Sequence, residues 1–571
     1  MAGLIRITQL PLLRTPRTPA GEAEPEVSDP EVIEPEVTEP EVTGPDEPAG
    51  TGSRWWPPAL GLAAAMASAA LMAWNLGTPA LWRDEAASAV AQRRTWPQLW
   101  ELLGGPEAPL VPFYAVLKTL TMGTLEVIPS AGMHLEELVR WPSAVAVVIS
   151  SCVLVVWLTR VASPLLAAAA GSVFLLLAAV SRYGQEARPY ALVLMFAVLA
   201  TVLWWQVAHD RRWRWMPAYA LVIAAMVALH ALSASLIAAH IVAAAVLQPG
   251  HAQPQPLRWV ARMLRTLGAA LAGVLIASPL TLLAIGNGTG AAGTGDLVKA
   301  RDVFLRLFNG ASQPSEPVIV LLVVLLAVLP VIAVVAGWSG PMANVVRLSA
   351  AWAVVPLAVL LPAALARPNL IATRYLLFVV PGWAVLAAVG LVAAAGAVAA
   401  VLARILPFAH RRVVLGAGLV LALAAATVVQ VPTLTSARSP HGHGENVRAL
   451  LEIANSPQYR DLPIEVFPPS EAVQLSAYAP DQAFRLINAR QLQTGAVIWP
   501  ERVEGGAVTD ALRDAPGVVV MVRGGTDLKV PRTWKDCRVV RTEQPDRKWS
   551  LYVLENASNG SSAGTGRCSD L

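Results

Sequence analysis

Charge is scarce in this chain. Only 14% of its 571 residues are Asp, Glu, Lys or Arg, against roughly a quarter in an ordinary soluble domain. The net charge of +4 is too small to suggest a nucleic-acid partner. Three cysteines, Cys152, Cys537 and Cys568, are too few for a disulfide framework. No CxxC or HExxH spacing occurs, so the sequence gives no argument for a zinc site. No cofactor is implied and no metal is demanded, with a divalent cation left open. What the chain does have is hydrocarbon: 55% of its residues are hydrophobic, and its mean hydropathy is +0.53. That balance points to a bilayer as solvent.

Residues 1–53 read as a disordered tail. A five-residue unit recurs at Pro25-Glu26-Val27, Pro30-Glu31-Val32, Pro35-Glu36-Val37 and Pro40-Glu41-Val42. Proline at that density blocks helix, and acidic repulsion with few bulky apolar residues prevents a core. The first apolar stretch follows this tail, which argues against a secretory signal.

From Trp55 long apolar runs alternate with short polar breaks. A helix needs about 20 apolar residues to cross the hydrocarbon. This predicts eleven spans, near 57–76, 142–159, 162–181, 189–208, 216–231, 233–248, 266–285, 317–336, 348–366, 375–400 and 413–431. The break at His230 is the ambiguous one, since a single long helix there would invert every later segment. Charge decides it. With a cytoplasmic amino terminus, the inner breaks carry Arg160, then Arg211, Arg212 and Arg214, then Arg258, Arg262 and Arg265, then Arg347, then Arg404, Arg411 and Arg412. Every inner break is then basic, as the positive-inside rule requires.

The expected organisation is therefore a cytoplasmic tail (1–53), a transmembrane domain (54–431) and an extracytoplasmic α/β domain (432–571). Val518–Val522 and Trp549–Leu554 read as strands, Glu445–Ala454 and Thr509–Asp514 as helices. The C-terminal region lacks a nucleotide-phosphate loop. If it is exported, Cys537 and Cys568 can pair, whereas Cys152 lies in an apolar run and reads as a packing residue.

Three polar clusters fall on the outer side. Leu81-Trp82-Arg83-Asp84-Glu85 follows the first span, and its two carboxylates offer a general base or simply a helix start. Ser181-Arg182-Tyr183-Gly184-Gln185-Glu186-Ala187-Arg188-Pro189-Tyr190 joins the third and fourth spans. Ionisable groups at that depth face a cavity or one another, so this is a phosphate pocket or an Arg–Glu network staking helix ends. Arg367-Pro368-Asn369, with Thr373-Arg374-Tyr375, precedes the tenth span, where arginines can bind substrate or snorkel to headgroups. The loop of about 286–316, with a Gly-rich start and Asn309, reads equally as a lid or a linker.

These pieces, taken in order, resemble the GT-C superfamily of membrane glycosyltransferases, and most closely the bacterial relatives of the protein O-mannosyltransferases (glycosyltransferase family 39). Asp84-Glu85 stands where that family has an acidic pair. Ala108 to Tyr114 is similar to a degraded His-Pro-Pro-Leu-Tyr-Tyr segment, with Glu107-Ala108 replacing its histidine. Arg140-Trp141-Pro142-Ser143 is similar to an Arg-Leu-Pro-Ser entry to the second helix. Arg182 to Tyr190 is similar to Arg-Tyr-x-Gln-Glu-Ala-Arg-x-Tyr, and Arg374-Tyr375 with Pro381-Gly382 to Arg-Tyr-(apolar)-Pro-Gly.

The resemblance implies a GT-C-like polytopic fold in a bacterial inner membrane. It implies an inverting transfer from a polyprenyl-phosphate monosaccharide, with mannose the family's commonest sugar, to a glycan, lipid or protein acceptor. Asp84 would be the general base, with Glu85 orienting the acceptor or serving as base itself. Arg140, Arg182, Arg188 and Arg374 would contact substrate, aided by Tyr183, Tyr190 and Tyr375, with Glu186 holding an arginine. Two other readings stay open: a lipid-carrier flippase or transporter, which requires mid-bilayer charges and an internal repeat, and a non-catalytic membrane protein with an outer binding domain.

Overall fold

The computed structural model describes residues 56–121, 134–209, 213–247, 255–287, 306–310, 314–366, 372–405, 410–478 and, with short interruptions, 485–556. The Pro-Glu-Val tail, Arg211, Arg212, most of the 286–316 loop, most of the 509–514 helix, Arg367 to Asn369, Cys568 and the side chain of Cys537 lie outside the described residues, and so does the expected disulfide.

The membrane part is a helical bundle. Its spans are α1 (Trp56–Ala73), α5 (Leu135–Val161), the bent pair α6 (Pro164–Leu176) and α7 (Ala178–Gly184), α8 (Tyr190–His209), α9 (Trp215–Leu229), α10 (Ser235–Val246), α11 (Gln255–Asn287), α12 (Glu316–Gly337), α13 (Ala343–Ala366), α14 (Thr373–Ile405) and α15 (Arg411–Ala437). Among the described residues eight helices are long and apolar enough to cross a bilayer, nine if the pair bent by 65° is one span. The apolar helices at Trp215–Leu229 and Ala231–Val246 are shorter. Each of the eleven sequence-predicted spans has its helix. Short helices α2 (Arg83–Gln92), α3 (Trp96–Glu101) and α4 (Val111–Thr121) fill the connection after α1.

The ambiguous break at His230 is a reversal. Tyr219 Oη lies 2.9 Å from His240 Nδ1, and their 21-position separation would span about 30 Å in one straight helix. The chain therefore folds back on itself between α9 and α10. His240 completes the lock with Thr201 Oγ1 at 3.1 Å and a stacked Trp204, whose indole N–H donates to Thr266. In hydrocarbon such polar groups have no water to turn to, so they bind one another.

Helix direction then sorts the charges. Arg262 and Arg347 donate to the last carbonyls of α10 at Ala244, Val246 and Leu247, where a cation complements the helix dipole. Arg160 and Arg404 close α5 and α14, and Arg411 opens α15, all at that same end. Inside the bundle Gly61 brings α1 against α5, close to Cys152, which packs there.

At the opposite end α1 stops in a built cap. Asn75 takes the left-handed conformation (φ 53°), the usual exit from a helix. The orphaned carbonyls of Leu71, Met72 and Trp74 accept from buried Arg438 and Gln185. Arg438 follows α15 directly, so the last span and the first are tied by one guanidinium.

Beyond α15 comes a strand-containing domain. Helix α16 (Val447–Ala454) and α17 (Ala472–Tyr478) accompany a four-stranded sheet of order β1 (Ile464–Phe467), β4 (Gly517–Arg523), β6 (Trp549–Asn556), β5 (Cys537–Glu543). The pair β1–β4 is parallel, while β4–β6 and β6–β5 are antiparallel. A small ribbon joins β2 (Ala489–Arg490) and β3 (Glu501–Arg502). Alternate residues of β4 and β6 pack on two faces: Val519, Met521, Leu551 and Val553 under α16, and Val518, Val520 and Leu554 on the other. From Trp56 onward the described residues form one compact unit.

Candidate active site

The Asp84-Glu85 pair opens α2. Its two carboxylates sit in the first turn, where the helix dipole favours anions, and Glu85 Oε2 also accepts from Trp82 N at 3.4 Å. The two side chains then part. Glu85 is fully buried and receives Arg140 Nε and Nη2, each at 2.7 Å, and Ala187 N at 3.0 Å, while His443 Nδ1 lies 2.9 Å from its Oε2. Arg140 spends its remaining donors on the carbonyls of Leu76, Pro79 and Ala80. Burial alone would raise the Glu85 carboxyl, but Arg140 and His443 outweigh it and hold it well below the usual range.

Two of the expected site residues therefore sit away from the crevice. Neither Arg140 nor Glu85 has a donor or acceptor left for substrate, because each completes the other in the interior. Such a pair is costly to break, and it fixes the backbone that carries Asp84.

Asp84 is left facing the crevice, with 19% of its side chain exposed. Its Oδ2 lies 3.3 Å from Arg374 Nη2 and 3.7 Å from Arg188 Nη2, and Arg188 Nη1 donates to the Asp84 carbonyl. These are loose pairs beside the 2.7 Å bonds of Arg140–Glu85. Arg374 Nε donates to Tyr190 Oη at 3.1 Å, and its guanidinium lies over the rings of Trp82, Tyr190 and Tyr375 at 5.2, 5.8 and 5.6 Å. Tyr183 and His230 close the aromatic group against Tyr190 and Tyr375.

Arg182 reaches Glu186 instead, at 3.1 Å. Burial raises the Glu186 carboxyl's pKa, against the pull of Arg182, Arg374 and Arg188 together. All three arginines thus lie near enough to Glu186 to act on its charge. Gly310, with φ +65°, lies on the Arg182 stem, where a Cβ would come within 2.9 Å. Several buried polar atoms here find no partner among the described residues: Trp82 Nε1, Arg188 Nε, Glu186 Oε1, His230 Nδ1 and both amide atoms of Asn309. Buried polar groups are normally satisfied, so these atoms could take a polar ligand, as could unpartnered buried atoms elsewhere in the chain such as Gln430 and Glu465. Among the described residues no group of three or more His, Cys, Asp or Glu side chains is placed to hold a metal ion.

The C-terminal domain also reaches the crevice. Arg94, buried in the segment after α2, donates to the carbonyls of Leu492, Gly495 and Val497, and Glu101 accepts from Gly495 N. The loop so held delivers Trp499, whose indole donates to Glu107 at 3.0 Å while the Arg83 guanidinium covers its ring at 4.4 Å. Glu107 also accepts from Tyr114, whose hydroxyl stays protonated through burial first and Glu107 second. Sequence reading treated Glu107 only as a departure from a motif and assigned no site role to His230, His443 or Trp499. The run His441-Gly442-His443-Gly444-Glu445 just after the last span is a signal of the same kind as the other clusters.

The fold, a bundle of apolar helices carrying a strand-containing C-terminal domain, has a counterpart among solved structures. The chain shares its fold with ArnT. The likeness to apo ArnT from Cupriavidus metallidurans covers 87% of this chain and 97% of that one, at 14% identity and a TM-score of 0.53. The same protein bound to undecaprenyl phosphate aligns at 12% identity and a TM-score of 0.48, again over 87% and 97%. The oligosaccharyltransferase AglB from Archaeoglobus fulgidus, solved with an inhibitory peptide and a dolichol-phosphate, gives 11% and 0.47 over 82% of this chain and 70% of that one. No family model matches the chain, and no curated protein does.

Proposed function

We propose that the protein is an inverting glycosyltransferase that takes a monosaccharide from a polyprenyl-phosphate carrier, with Asp84 as general base. The reading rests on one arrangement: Asp84 held loosely by Arg374 and Arg188, in a hollow whose other buried donors lack partners. A phosphate is the ligand that such a set of guanidinium and indole donors suits. ArnT, whose fold this chain shares, is a protein that binds undecaprenyl phosphate, which supports the same class of donor.

The chemistry follows from the charges. A phosphate entering between Arg374 and Arg188 draws them off Asp84 and leaves its carboxylate to accept a proton. The acceptor hydroxyl attacks the anomeric carbon, its proton passes to Asp84, and the bond from that carbon to the phosphate oxygen breaks. The polyprenyl phosphate departs with the electron pair, and the arginines stabilise the charge that develops there. Trp82, Tyr190 and Tyr375 hold the Arg374 fork in plane.

The hollow faces the extracytoplasmic side in this proposal. Arg160, Arg262, Arg347, Arg404 and Arg411 cluster at the opposite end, which the positive-inside rule assigns to the cytoplasm. A lipid-carried donor suits that compartment. The choice of Asp84 over Glu85 rests on the resemblance of the acidic pair to that of the protein O-mannosyltransferase relatives and on Glu85 being buried against Arg140.

The test is to incubate the purified protein with undecaprenyl-phosphate mannose, undecaprenyl-phosphate arabinose and related donors, together with cell-envelope acceptor. Consumption of one donor with release of undecaprenyl phosphate is the expected result. No consumption across the panel would remove the reading.

A further inference from the structure

We propose that the C-terminal domain completes the active site, with His443 and Glu445 acting as positioning residues for Asp84; this rests on the transferase reading above. Asp84 lies in a ten-residue helix, too short to hold its shape alone. Its position must come from what grips the residues around it, and much of that grip comes from one run of five residues beyond the last span.

On one side of Asp84, His443 Nδ1 lies 2.9 Å from Glu85 Oε2 and 3.1 Å from Arg140 Nη2. Burial pushes the His443 pKa far down, so a neutral ring packs against the Glu85–Arg140 pair and ties it to the segment after the last span. On the other side, the backbone N–H of Arg83 donates to Glu445 Oε2 at 3.3 Å, and the Arg83 guanidinium meets Glu471 at 3.2 Å. Glu445 is fully buried and also receives Gln474 Nε2, Lys548 Nζ and Arg523. It is therefore a rigid acceptor tied to the sheet.

The approach to α2 is held in the same way. Leu81 N donates to Tyr478 Oη at 2.6 Å, and Tyr478 donates on to Glu136 at 2.8 Å. Arg448 pairs with Glu136 at 2.9 Å and donates to the carbonyls of Gly77 and Thr78. The segment 77–85 thus has attachments to the C-terminal domain before and after Asp84. Arg188 and Arg374, by contrast, come from the turn before α8 and the start of α14. Arg188 is bonded to the Asp84 carbonyl and its neighbour Ala187 to Glu85, whereas Arg374 meets this segment only through side chains, so loosening the domain moves the base chiefly relative to Arg374.

The experiment uses the full-length protein, the undecaprenyl-phosphate sugar that it consumes, and undecaprenyl phosphate alone as binding probe. His443→Ala and Glu445→Gln should lower kcat on the order of 10- to 100-fold, the penalty for a base displaced by about an ångström. Affinity for undecaprenyl phosphate should stay within about twofold of wild type. His443→Asn, whose amide can bond the Glu85–Arg140 pair, should recover much of the loss. Hydrogen–deuterium exchange over residues 79–90 reads the positioning without the reaction: it should quicken in His443→Ala while residues 373–380 stay unchanged. Wild-type kcat in both variants, unchanged exchange over 79–90, or loss of turnover and lipid binding together with no rescue by asparagine would each overturn the proposal. A wild-type protein that consumes no donor overturns the transferase reading instead, and the exchange result then still decides the positioning claim.

Discussion

The Arg374 guanidinium lies 3.3 Å from the Asp84 carboxylate, across 290 residues of chain. One side chain opens a short helix after the first span, and the other stands where the tenth begins. Their meeting is possible only if the spans between them alternate in direction, which the reversal at His230 secures.

Arg374 is held as a planar fork, with Tyr190 on Nε, Asp84 on Nη2 and three rings around it. A lysine keeps the charge but loses the fork and the stacking. Arg374→Lys should therefore weaken undecaprenyl phosphate binding by about tenfold, and Arg374→Ala by more, as one lost charge-assisted bond costs about 1.5–3 kcal/mol. A titration of the purified variants with the lipid checks this.

Glu85 and Arg140 should behave as a structural unit. Arg140→Ala or Glu85→Ala leaves a buried charge without its partner, which costs about 3–5 kcal/mol. The double variant should lose less than the sum of the two, because neither charge is then stranded. Thermal unfolding in detergent of the three variants gives the comparison.

Glu465 gives the sheet a pH dependence of predictable sign. Burial raises its carboxyl from 4.5 to about 7, and its Oε2 has no partner among the described residues. Below the unfolded value both states are protonated and the contribution to stability is complete. Between 4.5 and about 7 the unfolded chain ionises first, so that contribution is lost as pH rises. Unfolding curves from pH 4.5 to 7.5 should show wild type losing stability relative to Glu465→Gln, with the difference levelling above about pH 7.

The spans and the outline of the site were legible in the sequence for the same reason. In a chain this apolar, Arg182, Arg188 and Arg374 stand out because hydrocarbon does not tolerate an idle charge. Position along the chain also placed the clusters at one end of the bundle. Burial was not legible. Asp84 and Glu85 are neighbours of the same type, and only the packing of α2 turns one toward the crevice and the other toward Arg140. Long-range pairing was equally hidden: nothing local to His443 announces Glu85, 358 residues earlier, nor does Trp499 announce Glu107. Those contacts arise from the docking of a domain whose sheet is assembled by non-local strand pairs.

The most direct test separates binding from chemistry at the crevice itself. With a donor that the wild type consumes, Asp84→Asn should bind undecaprenyl phosphate as tightly as wild type yet lose turnover by roughly 100- to 10,000-fold, the contribution of a positioned base. Paired with it, Arg188→Ala/Arg374→Ala should fail to bind the lipid. An Asp84→Asn protein that still transfers sugar at the wild-type rate, or a double-arginine variant that still holds the phosphate, would contradict the account.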